Sequence, residues 1–304
     1  MEKRLYLDCF SGISGDMTIA ALMDTAGIQL EFLEGELSKL HLEDEYQLKL
    51  SRVNKNGISS LKFDVIYGEH HHEDGHHHEH GHHHHHDEEH THGHGHTHHH
   101  HDHEHTHTHD HHDHKQTHDH SHGHHHNHTH DHGHHHHRTY KDIVALIESS
   151  DLDQSVKELA LKIFKVIGEA EAKIHGMDLE TVHFHEVGAI DSIVDIVGTA
   201  ILVDKLAINK VISSPVPVGS GRIKIDHGLY PVPAPATLEI LKDVPLKSTN
   251  IKGELTTPTG AAIVKVLAEE FSDSIPDMTV KQIGYGAGTK TFKDNPNVLR
   301  IILG

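Results

Sequence analysis

The chain has 304 residues, of which 45 are His, 46 are Asp or Glu and 26 are Lys or Arg, so its formal net charge is −20 at pH 7. A negative chain with no cluster of Lys or Arg is a poor candidate for binding nucleic acid or an anionic membrane surface. Cys9 is the only cysteine, which excludes a disulfide framework and a cysteine-based zinc site. Because the N-terminus lacks a signal-type apolar stretch and no run reaches the ~18 apolar residues of a membrane span, we expect a cytoplasmic protein.

The first 69 residues predict a strand, a helix, a second helix and a β-hairpin. An apolar run over 5–10 ends in a Gly-rich turn, and a helical pattern follows it until Gly27. A second helix is predicted over 31–40. Strands are predicted over 46–53 and 59–67, and the turn residues between them indicate a hairpin.

Residues 70–137, the histidine tract, contain all but five of the histidines and almost no apolar residues. Such a segment cannot bury a core, so we predict that it is disordered without metal. Residues 1–69 and 138–304 are predicted to form one discontinuous domain together. The tract is then an insertion in a surface loop, where long insertions cost little free energy.

The second block predicts helices alternating with short strands. Helical patterns cover 142–149, 156–175, 190–206, 236–241 and 261–270. Short strands are predicted over 181–185, near 211, and over 216–218, 222–225, 280–284 and 298–303. Since no regular βαβ repeat is present, we predict an α+β (mixed α/β) fold with a mixed sheet.

The histidine tract predicts transition-metal binding. Neutral imidazole suits nickel, zinc and copper, and the neighbouring acidic residues can add oxygen ligands. Overlapping sites of this kind predict high capacity and little geometric selectivity. The candidate metal ligands within the tract include His82, His83, His84, His98, His99 and His100.

A second candidate site lies where the predicted strand 181–185 meets the following helix. His183 and His185 share one face of a strand, and Asp191 and Asp195 share one face of a helix. The four side chains are therefore candidate metal ligands with an open position for a substrate. Alternatively, Asp191 caps the helix and one of the histidines is a buried core residue.

The Gly-rich turn after the first strand is the third candidate. A glycine turn that opens a helix offers backbone N–H groups to an anion, but no P-loop lysine is present. Asp8 and Asp16 bracket the turn and are candidate ligands of a divalent ion beside a phosphate, although Asp16 can equally be an N-cap. The candidate nucleotide-binding residues are Ser11, Gly12, Ser14, Gly15 and Asp16.

Taken together, these segments resemble the LarC nickel-insertion family of the lactate racemase system. The resemblance covers the whole chain, including the His-rich insertion. Its motifs are LDCFSGISGDM at 7–17, VHFHEVGA at 182–189, DSIVD at 191–195, TTPTG at 256–260 and GYG at 284–286.

The resemblance implies an enzyme, a nickel insertase of the lyase class. Such a protein inserts nickel into pyridinium-3,5-bisthiocarboxylic acid mononucleotide and forms one nickel–carbon and two nickel–sulfur bonds. It consumes CTP with magnesium or manganese, and the product serves lactate racemase-type enzymes. Glu186, beside His183 and His185, is the leading candidate for the base that removes the ring proton. Full-length relatives continue into a CTP-associated C-terminal domain, which we expect to be absent here or a separate polypeptide.

Two other functions remain open from the sequence. The first is a nickel storage or delivery protein with no chemistry of its own, and the second is a zinc-dependent hydrolase that uses His183 and His185. Deletion of the histidine tract separates an insertase from a nickel store. An insertase keeps its activity at saturating nickel, whereas a store loses its function.

We expect the tract to bind several nickel ions per chain, and to bind them more weakly in acid. Imidazole must be neutral to coordinate a metal, and its unperturbed pKa is about 6.5. Calorimetric titrations one pH unit above and one below about 6.5 test this expectation. Equal affinity at the two values would show that carboxylates, rather than histidines, hold the metal.

Overall fold

A seven-stranded mixed sheet forms the centre of the protein in a computed structural model that describes residues 3–67, 138–182, 184, 190–225 and 228–304. The helices are α1 (Gly15–Ala26), α2 (Leu30–Leu37), α3 (Tyr140–Ser149), α4 (Gln154–His175), α5 (Ile190–Leu206), α6 (Pro235–Ile240) and α7 (Pro258–Leu267). Within the described ranges, none of the helices is long and apolar enough to cross a membrane.

The strands are β1 (Arg4–Asp8), β2 (Gln47–Lys55), β3 (Ile58–Ile66), β4 (Lys210–Ser213), β5 (Val216–Pro217), β6 (Gly219–Ser220), β7 (Arg222–Ile225), β8 (Gly228–Pro231), β9 (Leu246–Lys247), β10 (Gly253–Glu254), β11 (Glu270–Phe271), β12 (Gln282–Ala287) and β13 (Val298–Leu303). The main sheet has the order β11-β4-β1-β13-β12-β3-β2. Strand β1 pairs in parallel with β4 and antiparallel with β13. The predicted α+β class with a mixed sheet is therefore confirmed.

Local signals account for several element boundaries. Asn56 and Gly57 both have positive φ, 51° and 90°, as a two-residue hairpin turn requires, and they join β2 to β3. Helix α1 ends at Gly27 in the left-handed conformation. Helix α3 begins with a capping box in which Thr139 and Asp142 satisfy each other's backbone N–H groups. The described residues on both sides of the histidine tract belong to one compact unit.

Helix α1 lies between the sheet and α5, and two glycines of β12 allow its close approach. A Cβ added at Gly286 would lie 1.9 Å from the carbonyl oxygen of Met17, and one at Gly284 would lie 2.3 Å from the backbone nitrogen of Thr25. These glycines of the GYG motif therefore pack against a helix. Helix α5 has the predicted bounds, is buried along most of its length and is covered by α4.

The predicted strand over 181–185 is wrong for its described residues. Thr181 ends a 3₁₀ turn, and neither Val182 nor Phe184 belongs to a strand. Both of those side chains are fully buried, and the Phe184 ring centroid lies 6.4 Å from those of Tyr140 and Phe164. The apolar alternation of Val182 and Phe184 therefore reflects burial against α3 and α4.

We predict that Gly286→Ala destabilises the protein by at least about 2 kcal/mol, because the new methyl group would overlap the backbone of α1. Gly35→Ala is the matched control. Gly35 lies in α2 with nothing within 4 Å of its added Cβ, so alanine there should stabilise the helix by about 0.5–1 kcal/mol. Urea unfolding of the two variants and the wild type measures both changes. Equal stabilities of the three proteins would contradict the close packing of α1 on β12.

Candidate functional site

The Gly-rich turn and the TTPTG motif form one continuous wall. The backbone N–H of Ile13 donates to the oxygen of Leu255 at 3.1 Å, and that of Thr257 donates to the oxygen of Ile13 at 3.1 Å. Gly12 has a φ of 101°, and a Cβ there would lie 1.9 Å from the oxygen of Leu255. A Cβ at Gly260 would lie 2.1 Å from the oxygen of Ile13. Glycine is therefore required on both sides of this contact.

Beside this wall is a cavity of about 380 Å³ at the N-terminal ends of α1, α5 and α7, bordered by β3. We call it the acidic cleft, after the charged residues that line it: Asp16, Lys62, Asp64, Asp191, Asp195 and Glu254. Hydroxyl groups line it too, on Ser14, Tyr67, Ser192, Thr257, Thr259 and Thr289. The cleft thus joins residues of the DSIVD and TTPTG motifs with residues of the N-terminal Gly-rich turn.

Lys62 of β3 is the cation of the cleft, and its ammonium group is fully engaged. It donates to Asp16 Oδ2, Asp64 Oδ1 and the oxygen of Phe63, each at 2.8 Å. The residue is 9 % exposed. Burial, the largest single influence, lowers the pKa of Lys62, but Asp16 and Asp64 together raise it above its ordinary value. An ammonium group has three protons, so Lys62 has none left for a ligand.

Asp195 of α5 is the most constrained carboxylate of the cleft. Its Oδ1 is buried and has no hydrogen-bond partner within the described ranges, while the backbone N–H of Asp16 donates to the same carboxylate. Gly15 permits this approach, since a Cβ there would lie 2.5 Å from Asp195 Oδ2. Burial, followed by the charges of Asp16 and Asp191, raises the pKa of Asp195 well above its usual range.

Asp191 lies in the first turn of α5, four residues before Asp195. The backbone N–H of Ser192 donates to its Oδ1 at 2.8 Å, so the side chain does satisfy a helix-terminal N–H group. Burial raises the pKa of Asp191, and the charge of Asp16 adds to that shift. The charge of Asp191 in turn raises the pKa of Tyr67, whose side chain lines the same cleft.

The structure places the residues of the Gly-rich turn in two different surroundings. Ser14, Gly15 and Asp16 line the acidic cleft. Ser11 faces away from it, since its hydroxyl donates to the oxygen of Pro296 at 2.5 Å. Gly12 is packed against Leu255. Of the five candidate nucleotide-binding residues, three thus reach the cleft.

Asp8 does not join Asp16. It lies opposite Arg300 in the β1–β13 pair and accepts from the guanidinium Nε at 2.9 Å. It lines a separate pocket of about 420 Å³, together with Tyr6 and Phe10. Asp8 and Asp16 therefore lie in different pockets, and Asp8 already has a cationic partner.

Several candidate residues lie outside the described residues. They are His183, His185, Glu186 and the histidines of the tract, including His82, His83, His84, His98, His99 and His100. Within the described ranges, no three or more His, Cys, Asp or Glu side chains are arranged to hold a metal ion. Cys9 is buried, and burial raises the pKa of its thiol to about 12. It therefore behaves as a small apolar side chain.

Sequence reasoning missed Lys62, Asp64, Tyr67 and Glu254. The alternating charges of Lys62 and Asp64 on a predicted strand are typical of a solvent-exposed strand face, and no local pattern relates them to Asp16, 46 residues away. The one available signal was Lys62 itself, a charged residue between the apolar residues Leu61 and Phe63 of β3, since a lysine is rarely buried unless it is paired.

The chain matches the family model described as "Nickel insertion protein" over residues 5–304. It is 46 % identical to a pyridinium-3,5-bisthiocarboxylic acid mononucleotide nickel insertion protein of Geobacillus kaustophilus, covering 99 % of this chain and 60 % of that protein. The protein of the same description in Clostridium kluyveri is 44 % identical, over 99 % of this chain and 62 % of its own length. A putative nickel insertion protein of Wolinella succinogenes is 42 % identical, over 99 % and 60 %.

The chain thus spans about 60 % of the length of these curated relatives. No solved structure matches it.

We predict that Asp195→Asn stabilises the protein at neutral pH, by about 1–3 kcal/mol, because it removes the charge of a carboxylate whose Oδ1 is buried with no hydrogen-bond partner among the described residues. The gain depends on pH. A carboxyl group whose folded-state pKa is raised contributes its full stability below the unfolded pKa of about 4 and loses it as the pH rises through the folded pKa. The advantage of the variant should therefore shrink towards acid pH.

Thermal melting between about pH 5 and pH 8 measures this difference. Asp204→Asn is the matched control, since Asp204 lies exposed at the other end of the same helix. A stability difference that stays constant with pH, or that grows in acid, would contradict the raised pKa of Asp195.

Proposed function

We propose that this chain, which belongs to the nickel insertion protein family, takes part in inserting nickel into pyridinium-3,5-bisthiocarboxylic acid mononucleotide. The observation that carries the proposal is the acidic cleft, in which Asp195 Oδ1 is buried and has no partner among the residues that the structure describes. Buried carboxylates of this kind are stabilised by a cation. In this reaction nickel is a substrate that the protein must first hold and then release.

The proposed nickel ligands are Asp191 and Asp195, together with His183 and His185. Imidazole and carboxylate suit nickel, but thiocarboxylate sulfur is a softer ligand and competes well for it. The described residues alone do not complete a set of three ligands. Transfer of the ion then requires that the sulfur atoms of the nucleotide replace some of these oxygen and nitrogen ligands.

Formation of a nickel–carbon bond requires that a carbon atom of the pyridinium ring lose its proton. The electron pair of the broken C–H bond then forms the bond to nickel, and the proton passes to a base. Glu186 is the proposed base, because in the sequence it lies between His185 and the first turn of α5, where Asp191 borders the cleft. Its carboxylate would act as a general base on the ring carbon.

The cleft does not fit CTP, which the resemblance implies as a co-substrate with magnesium or manganese. Of the residues described, only Lys62 brings a positive charge to its lining, and all of its protons are engaged. Carboxylates in this number repel a triphosphate. We therefore propose that CTP binds outside the cleft, on a further C-terminal domain of the family, and that a lactate racemase-type enzyme in the cytoplasm receives the product.

We predict that His183→Ala or His185→Ala abolishes nickel insertion while the total nickel capacity of the chain stays nearly unchanged. The tract keeps its histidines in both variants, so only the ion at the cleft is lost. The assay combines the chain with the nucleotide, nickel, CTP and magnesium or manganese, with and without the C-terminal part of a relative. Mass and absorbance of the nucleotide report the product.

His41→Ala is the matched control, because His41 is exposed and far in sequence from the cleft residues of α5. It should retain both insertion and capacity. If the wild type forms product and the His183→Ala and His185→Ala variants both form it at the same rate, the assignment of the two histidines is wrong. If no combination that contains the wild-type chain forms product, the proposed function is wrong.

A further inference from the structure

The mononucleotide named above and the acidic cleft carry charge of the same sign. Two thiocarboxylate groups and a phosphate outweigh the single positive charge of the pyridinium ring. The cleft is lined by five carboxylates, those of Asp16, Asp64, Asp191, Asp195 and Glu254, and by one ammonium group. Coulomb repulsion in a partly buried site therefore opposes the binding of the nucleotide to the empty cleft.

The two lysines in or near the cleft, Lys62 and Lys290, do not remove this repulsion. Lys62 is shared between Asp16 and Asp64, and its third proton is donated to a backbone oxygen. Lys290 approaches Glu254, with its Nζ 3.8 Å from Oε2, but does not line the cavity. The negative charge that remains is concentrated at the first two turns of α5, on Asp191 and Asp195.

Asp195 adds an observation independent of the charge count. Its Oδ1 is enclosed and unpartnered in the described part of the chain, although the carboxylate borders the cavity. An enclosed carboxylate oxygen with no donor costs free energy unless a cation or a donor reaches it.

We propose that the acidic cleft binds a divalent cation first, on Asp191 and Asp195, and that the bound cation creates the site for the anionic mononucleotide. This order of binding rests on the proposed function, which supplies the identity of the nucleotide. Two carboxylates leave most coordination positions of the cation to water. Oxygen or sulfur atoms of the nucleotide can replace that water, as phosphate oxygens do when a divalent cation is held by one or two carboxylates.

The order of binding requires that the bound cation keep open positions for the nucleotide. An ion whose coordination positions were all filled by protein groups would leave none. The described carboxylates instead attract a cation without surrounding it. Cation and nucleotide should therefore increase each other's affinity, and linkage requires the two factors to be equal.

The test measures the binding of nicotinic acid mononucleotide, a pyridinium mononucleotide with a carboxylate and a phosphate, to the full chain. Mn²⁺ is the cation, because it favours oxygen ligands and binds imidazole more weakly than nickel does, which limits its uptake by the tract. Isothermal titrations are carried out with chelator and with saturating Mn²⁺. We expect wild-type affinity for the nucleotide to rise at least tenfold with Mn²⁺, and the affinity for Mn²⁺ to rise by the same factor with the nucleotide.

Asp195→Asn should reduce this coupling to less than threefold, whereas Asp204→Asn should preserve it. Asp191→Asn provides a second cleft variant. The proposal is overturned if the wild type binds the nucleotide equally well with and without Mn²⁺, if it binds in neither condition, or if both cleft variants couple as the wild type does. These outcomes are independent of product formation, so a failure of nickel insertion and a failure of cation-first binding are distinguished.

Discussion

The arrangement of the acidic cleft depends on the contact between Gly15 of α1 and Asp195 of α5. A Cβ at position 15 would lie 2.5 Å from both the Cβ and Oδ2 of Asp195. Only glycine lets the two helix starts approach so closely that the N–H of Asp16 reaches the carboxylate of Asp195. Lys62 then fixes the side chain of Asp16 from the sheet. Three elements distant in sequence thus place their charged groups around one cavity.

This arrangement is unfavourable for folding and is tolerated because α5 is firmly anchored. Ile193, Val194 and Val197 are fully buried, so the apolar faces of the helix determine its position regardless of what its acidic residues prefer. Burial raises the pKa of both Asp191 and Asp195, which is the electrostatic cost of their positions. Strain of this kind is characteristic of sites in which a ligand supplies the missing interaction.

The sequence predicted the fold best where local patterns and tertiary packing agree. Helix α5 was predicted with its observed bounds because it is apolar on nearly every side, and the hairpin was predicted from its Asn56–Gly57 turn. The strand at 181–185 was wrong, because alternating burial of Val182 and Phe184 does not require a partner strand. Helical spacing brought Asp191 and Asp195 together correctly. No local pattern could predict the pairing of Lys62 with Asp16, which depends on the packing of α1 against β3, or that of Asp8 with Arg300, which depends on the register of β1 and β13.

Tyr67 lines the acidic cleft, and the histidine tract begins three residues later in the sequence, at His70. The described part of the chain therefore ends, at Tyr67, in the lining of the cavity. His83 is 16 residues from Tyr67, and a fully extended chain of that length spans at most about 55 Å. An ion bound at His83 would lie within that distance of Tyr67. Covalent attachment would thus raise the local concentration of any metal that the tract binds near the cleft, in the manner of a linked binding module.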